Sequence, residues 1–228
     1  MRRRSLALLM SAAALAACGR RRAGTPAAAA TPRAAVANDY RWFALEPDLA
    51  RGFCFTWVKE LTPQQVLKRL HGRELERVSW QQLVGSGDGE SGPRSRYFIG
   101  VARVEGWSLI VEDAGDLGVT DSLVRPLSAG TTVVAHQRGP DGHGRFLLLH
   151  DSAIQLDFDP LAPARVSGAR AAELAPMISS AGFGTAGDPK QNTAAAFAVT
   201  ERLTGTEMTQ DLLYSHTYLL TEVLRTQG

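Results

Sequence analysis

Apolar positions along this chain fall into three regimes: a run near the start broken only by Ser11, a middle stretch that alternates with period two, and a C-terminal third with helical period. Alternating or β-rich segments run from Phe53 to Val58 (FCFTWV), Tyr97 to Val104, Trp107 to Asp113, Thr131 to Arg138, Gly144 to His150 and Ala153 to Asp159. Glu105-Gly106 between two of them is a two-residue hairpin signal, and Gly139 to His143 and Asp151-Ser152 mark further turns. The pattern predicts an antiparallel meander of about five to six strands, with Phe53 to Val58 joining one edge.

Helices are predicted on either side of the meander. Thr62-Pro63-Gln64-Gln65 supplies a capping box with proline at the first helical position, followed by the stripe Val66, Leu67, Leu70 that stops at Gly72. Ser79 to Val84 reads as a second short helix, and Gly85 to Ser95 as a loop. Toward the C-terminus, Ala169 to Ala181 is helical with Pro176 kinking or breaking it, and Asn192 to Thr204 stops at Gly205. Thr209 caps a last helix with Leu212, Leu219, Val223 and Leu224 inward. Strands first and two to three helices afterwards predict an α+β fold with helices covering one face of the sheet.

Composition fits one ordinary domain: 228 residues, 44% hydrophobic and 21% charged. Charge changes the picture more. Residues 1 to 38 carry seven of the 25 basic side chains and no acidic one, which leaves 18 against 23 and a formal net charge of −5 for Asp39 to Gly228. The domain is acidic, which argues against a nucleic-acid partner.

The basic excess lies in a leader. Met1 to Arg4 is a basic start, and Leu6 to Ala17 is apolar except for Ser11. That run is shorter than the ~20 residues a membrane-spanning helix needs and suits a signal peptide. Leu15-Ala16-Ala17-Cys18 resembles a bacterial lipobox, which implies a mature chain beginning at lipidated Cys18. The low-complexity stretch Ala23 to Asn38 then reads as a flexible tether. The expected organisation is a signal peptide over 1–17, a lipid-anchored tether over 18–38 and one domain over 39–228, held at the cell membrane and facing outward. Arg20 to Arg22 oppose translocation beyond the proposed cut, although Arg3-Arg4-Ser5-Leu6 loosely resembles a twin-arginine signal. A misassigned start and a cytoplasmic protein form the alternative.

Candidate chemistry is sparse. With Cys18 lipidated, Cys54 has no partner and in Phe53-Cys54-Phe55 reads as a small buried side chain. Neither cysteine has a second cysteine nearby and the five histidines are scattered, so no metal site and no cofactor is predicted. There is no Walker loop, dinucleotide fingerprint or G-x-S-x-G elbow, and Gly182 to Gly187 follows a helix instead of opening one. Alternation places His136, Arg138, Asp157 and Asp159 on one face, with Phe146 opposite Asp157, and Val133, Leu147, Leu149, Ile154, Leu156 and Phe158 on the other. The polar face is either a site, with Asp157 or Asp159 as general acid/base, or a solvated surface of cross-strand charge pairs. Glu112-Asp113 at a strand end is a second acid/base candidate, and Trp57 and Trp107 either floor a ligand groove or pack in the core.

The blocks FCFTWVKELTPQQVL, YFIGVARVEGWSLIVED, LSAGTTVVAH, IQLDFDPLAP and TAAAFAVTERLTG, spanning about Asp39 to the C-terminus, resemble an actinobacterial family of domains of unknown function. The resemblance implies a single α+β domain and transfers no catalytic residue, cofactor or substrate. Members of that family commonly begin near the equivalent of Asp39-Tyr40 without a leader, which keeps the cytoplasmic alternative open. The sequence therefore points first to a lipid-tethered, non-enzymatic module that binds a protein or peptide at the envelope. The alternatives are an acid/base hydrolase using strand carboxylates and a cytoplasmic regulatory or toxin-antagonist protein.

Overall fold

Six successive residues of the strand β1 (Phe53–Lys59) are buried, so its two faces must both be covered. In the computed structural model, which describes residues 33–84, 95–184 and 188–225, β1 accordingly lies inside the sheet and not at an edge. The other strands are β2 (Arg73–Val78), β3 (Arg96–Val104), β4 (Trp107–Asp113), β5 (Thr132–Arg138), β6 (Gly144–His150), β7 (Ala153–Phe158) and β8 (Tyr218–Leu224). They form one eight-stranded antiparallel sheet in the order β2-β8-β3-β4-β1-β5-β6-β7. The class is α+β, with eight strands among the described residues in place of the five to six expected.

Helices cover both faces, correcting the one-sided cover that the sequence suggested. Phe53, Phe55 and Trp57 of β1 point into an aromatic core with Tyr40 and Phe43 from a 3-10 helix (Ala37–Leu45). The same core takes α2 (Trp80–Val84), α4 (Ala171–Ser179), α5 (Pro189–Thr204) and α6 (Gln210–Ser215). Val58 of β1 points the other way, into an aliphatic core with α1 (Pro63–Arg69), a 3-10 turn (Leu117–Val119) and α3 (Asp121–Leu127). Phe197 is the hub of the aromatic side, with ring centroids 4.1 Å from Phe43 and 5.5 Å from Phe53.

Local signals formed as their chemistry dictates. Thr62 Oγ1 accepts from Gln65 N at 3.3 Å while Gln65 Oε1 accepts from Thr62 N at 2.8 Å, the reciprocal capping box expected for α1. Pro176 lies inside α4, and α5 starts at Pro189, capped by Asp188, and ends at Gly205 in the left-handed region.

Two segments differ from expectation. Tyr218–Leu224 is a strand and not the end of a helix: Leu219 and Val223 join the aliphatic core and Tyr218 the aromatic one, an alternation that β-branched and aromatic residues favour. Arg73–Val78 is an edge strand whose first five residues are all exposed, so it carries no apolar alternation to announce it. The signal peptide, Cys18 and most of the tether lie outside the described residues, as do 85–94, 185–187 and 226–228.

Candidate functional site

Cys54 and Glu112 face each other across β1 and β4 on the aliphatic side of the sheet. Glu112 is only 2% exposed, and its Oε2 accepts from Leu117 N at 3.0 Å, which fixes the turn between β4 and α3 over the carboxyl group. Two glycines allow that close approach. A Cβ on Gly115 would stand 2.2 Å from Glu112 Oε1, and one on Gly118 would stand 1.8 Å from Thr56 Oγ1 and 3.0 Å from Cys54 Sγ. Burial, assisted by the charge of Asp116, pushes the Glu112 carboxyl up to about 8, so it keeps its proton at neutral pH. Burial and then Glu112 push the Cys54 thiol up as well, and its Sγ lies 3.7 Å from Thr56 Oγ1. A protonated acid beside an un-ionised thiol is a sealed polar cluster, neither a base nor a nucleophile.

The other candidates do not meet. The β5–β6 register is as expected, with His136 opposite Phe146 and Arg138 opposite Gly144. A bulge at Leu148/Leu149 then shifts β7 by one residue, so Phe146 faces Phe158 and Leu147 faces Asp157. Asp157 consequently leaves the His136 face. Arg145 grips it with Nε at 3.0 Å and Nη2 at 2.7 Å, and also reaches Asp121 Oδ1 at 2.7 Å and Val119 O at 2.8 Å. Asp159 follows the strand end, where it accepts from Leu161 N at 2.8 Å and lies 2.7 Å from His143 Nδ1. Asp113 points away from Glu112 and pairs with Arg51 at 3.0 Å.

Instead of lining a solvated face, His136 is 1% exposed, and neither ring nitrogen is hydrogen-bonded among the described residues. Phe53 and Phe197 enclose it with ring centroids at 5.0 and 4.7 Å. Burial, then the charge of Arg138, lowers its pKa to about 3, so it is a neutral aromatic core residue. Trp57 and Trp107 are core residues too, and Trp107 Nε1 donates to Thr204 O at 3.1 Å; neither floors a groove. Arg138 is half-buried at the mouth of a small cavity.

The accessible concave surface lies elsewhere, beside α1. A cleft of about 390 Å³ is lined by Arg69, Leu70, His71, Leu123, Pro126 and Leu224, and a neighbouring one of about 400 Å³ shares Arg69 and His71 and adds Lys68 and Leu61. Arg69 Nη1 donates to Leu127 O at 2.8 Å and Ala129 O at 2.6 Å, locking α1 onto the C-terminus of α3. The side chains of Lys68 and His71 make no ion pair or hydrogen bond among the described residues and are exposed. Leu224, 61% exposed, adds an apolar wall. Sequence reasoning missed this surface. Its signal is Lys68-Arg69-Leu70-His71, a basic cluster closing an amphipathic helix in an otherwise acidic domain.

Among the described residues no group of three or more His, Cys, Asp or Glu side chains is placed to hold a metal, and no helix is long and apolar enough to cross a membrane. No curated protein and no solved structure matches the chain. One family model matches residues 33–228, a span that contains every described residue. The chain therefore belongs to the family of unknown function DUF6461.

Proposed function

We propose that this domain is a non-enzymatic interaction module that receives an acidic, partly apolar peptide segment in the cleft beside α1. The carrying observation is the contrast between its carboxylates and its clefts. Glu112 is sealed, Asp113 and Asp157 are paired with arginines, and Asp159 is bound to His143, so no two of them line a common cleft among those described. The open surface instead offers Lys68, Arg69 and His71 around the apolar side chains Leu70, Leu123 and Leu224. Such a rim selects a partner by charge and adds affinity by apolar burial.

The test is a crosslinked capture from fractionated cells with the native protein and with a Lys68→Glu/His71→Glu variant. The reading expects partners that the variant loses and that salt added before crosslinking keeps from binding. Equal capture by both proteins would sink it. We propose further that lipidated Cys18 holds the module at the membrane, facing outward, a reading supported by the likeness of Leu15 to Cys18 to a lipobox. The intact mass of the protein from cells decides this. An unmodified amino terminus upstream of Cys18 would refute the anchor and favour a cytoplasmic protein.

A further inference from the structure

On the opposite, aromatic side of the sheet, a cavity of about 80 Å³ opens between the N-terminal 3-10 helices, the end of β5 and the start of α5. Two cations reach it, Arg138 and Lys190. Neither makes an ion pair or a side-chain hydrogen bond among the described residues, and Arg138 Nε is fully shielded from solvent without an acceptor. A shielded guanidinium N–H without a partner is costly, and native proteins rarely leave one so. The acid in the lining, Glu46, does not serve it: Oε1 accepts from Gln210 Nε2 and Oε2 from Tyr214 OH at 3.0 Å. The first amides of α5 are spoken for as well, since Asp188 Oδ1 accepts from Lys190 N at 3.0 Å and Gln191 N at 3.3 Å. The positive charge at the cavity therefore comes from two side chains, half-buried Arg138 and exposed Lys190, and not from a helix end.

We propose that this cavity binds a small monocarboxylate, with its carboxylate on Arg138 and Lys190 and a short apolar stem against Phe43 and Leu49. Three features set the class. The volume holds several water-sized spheres, which suits a headgroup with a few carbons and excludes a nucleotide. Arg138 and Lys190 against Glu46 give the lining a formal charge of +1, matched by one negative charge and not by two. Phe43, Leu49 and Ala50 supply apolar walls that a strongly hydrated oxyanion would not use.

Titration of the protein with sodium butyrate in low-chloride buffer, followed by NMR, tests the site. The expected result is saturable shifts at the backbone amides of Ala44, Ala50 and Thr193, which line the cavity. Arg138→Met should weaken binding about tenfold or more, as loss of a charge-assisted hydrogen bond implies. Lys190→Ala, at an exposed position that does not bear on folding, should weaken it several-fold and carries the test if Arg138→Met does not fold. No saturable shift, butyrate binding that ignores Lys190→Ala, or inorganic phosphate saturating these residues where butyrate does not, would each overturn the proposal.

Discussion

Glu112 and His136 are two titratable residues that the fold holds uncharged, one on each face of the sheet, and together they shape how stability depends on pH. Glu112 titrates near 8 in the folded chain against an ordinary 4.5. Between those values the unfolded chain has lost the proton and the native one has kept it, so stability falls as pH rises through that window. His136 works in the other direction. It titrates near 3 in the fold against an ordinary 6.5, so as pH falls through that window the unfolded chain gains a proton that the native one refuses, and stability falls again. Glu112→Gln keeps an acceptor for Leu117 N and removes the charge. It should raise stability at pH 8 relative to pH 5 by about 1–3 kcal/mol in urea titrations. His136→Phe, which replaces an unbonded ring by an apolar one, should flatten the acid limb of the same series by about 1–2 kcal/mol. A variant that left its own limb as steep as before would show that some other group carries it.

At the scale of elements, the turn between β4 and α3 is held by contact without room to spare. Gly118→Ala drives a methyl into Thr56 Oγ1, so it should destabilise by about 1–3 kcal/mol, as overpacking of a dense core does. In a Thr56→Ala background, which removes the nearest atom, part of that loss should return; additive losses in the double variant would mean that the clash is not between these two side chains. Local chemistry of this kind was legible beforehand where a short motif sufficed. The capping box at Thr62 and the Glu105-Gly106 hairpin could be read because neighbours in sequence satisfy them. What escaped depends on distant partners. The unbroken burial of β1 required helices on both faces, and an apolar run of strand length does not say whether it lies at an edge or in the middle. Leu219 and Val223, four residues apart, satisfy a helical spacing as well as an alternating one, and only the free edges of β2 and β3 decide for a strand. The bulge that separated Asp157 from His136 leaves Gln155 of β7 unpaired opposite Leu148-Leu149 of β6, where both faces of β6 are apolar and hydrophobicity is blind to a slip of one residue. The candidate polar face was lost with that slip.

At the scale of the whole molecule, the last strand closes the architecture. β8 lies between β2 and β3, so β2 reaches the sheet only through it, although the two are distant in sequence. It also gives Tyr218 to the aromatic core, Leu219 and Val223 to the aliphatic core, and Leu224 to the cleft beside α1. A chain ending before Tyr218 would leave the edges of β2 and β3 open and both cores incomplete, and should lose cooperative unfolding in urea. A sharp transition of unchanged slope in that truncated chain would mean that β8 is an accessory. The same geometry places the cleft beside α1 and the cavity at Arg138 on opposite faces of one sheet, with two separately packed cores between them. Reversing charge at Lys68 and His71 should therefore leave butyrate shifts at Ala44 and Ala50 unchanged, while Lys190→Ala should leave peptide capture intact. Coupling between the two measurements would indicate that the sheet transmits binding from one face to the other, and the module would have to be read as a single responsive unit.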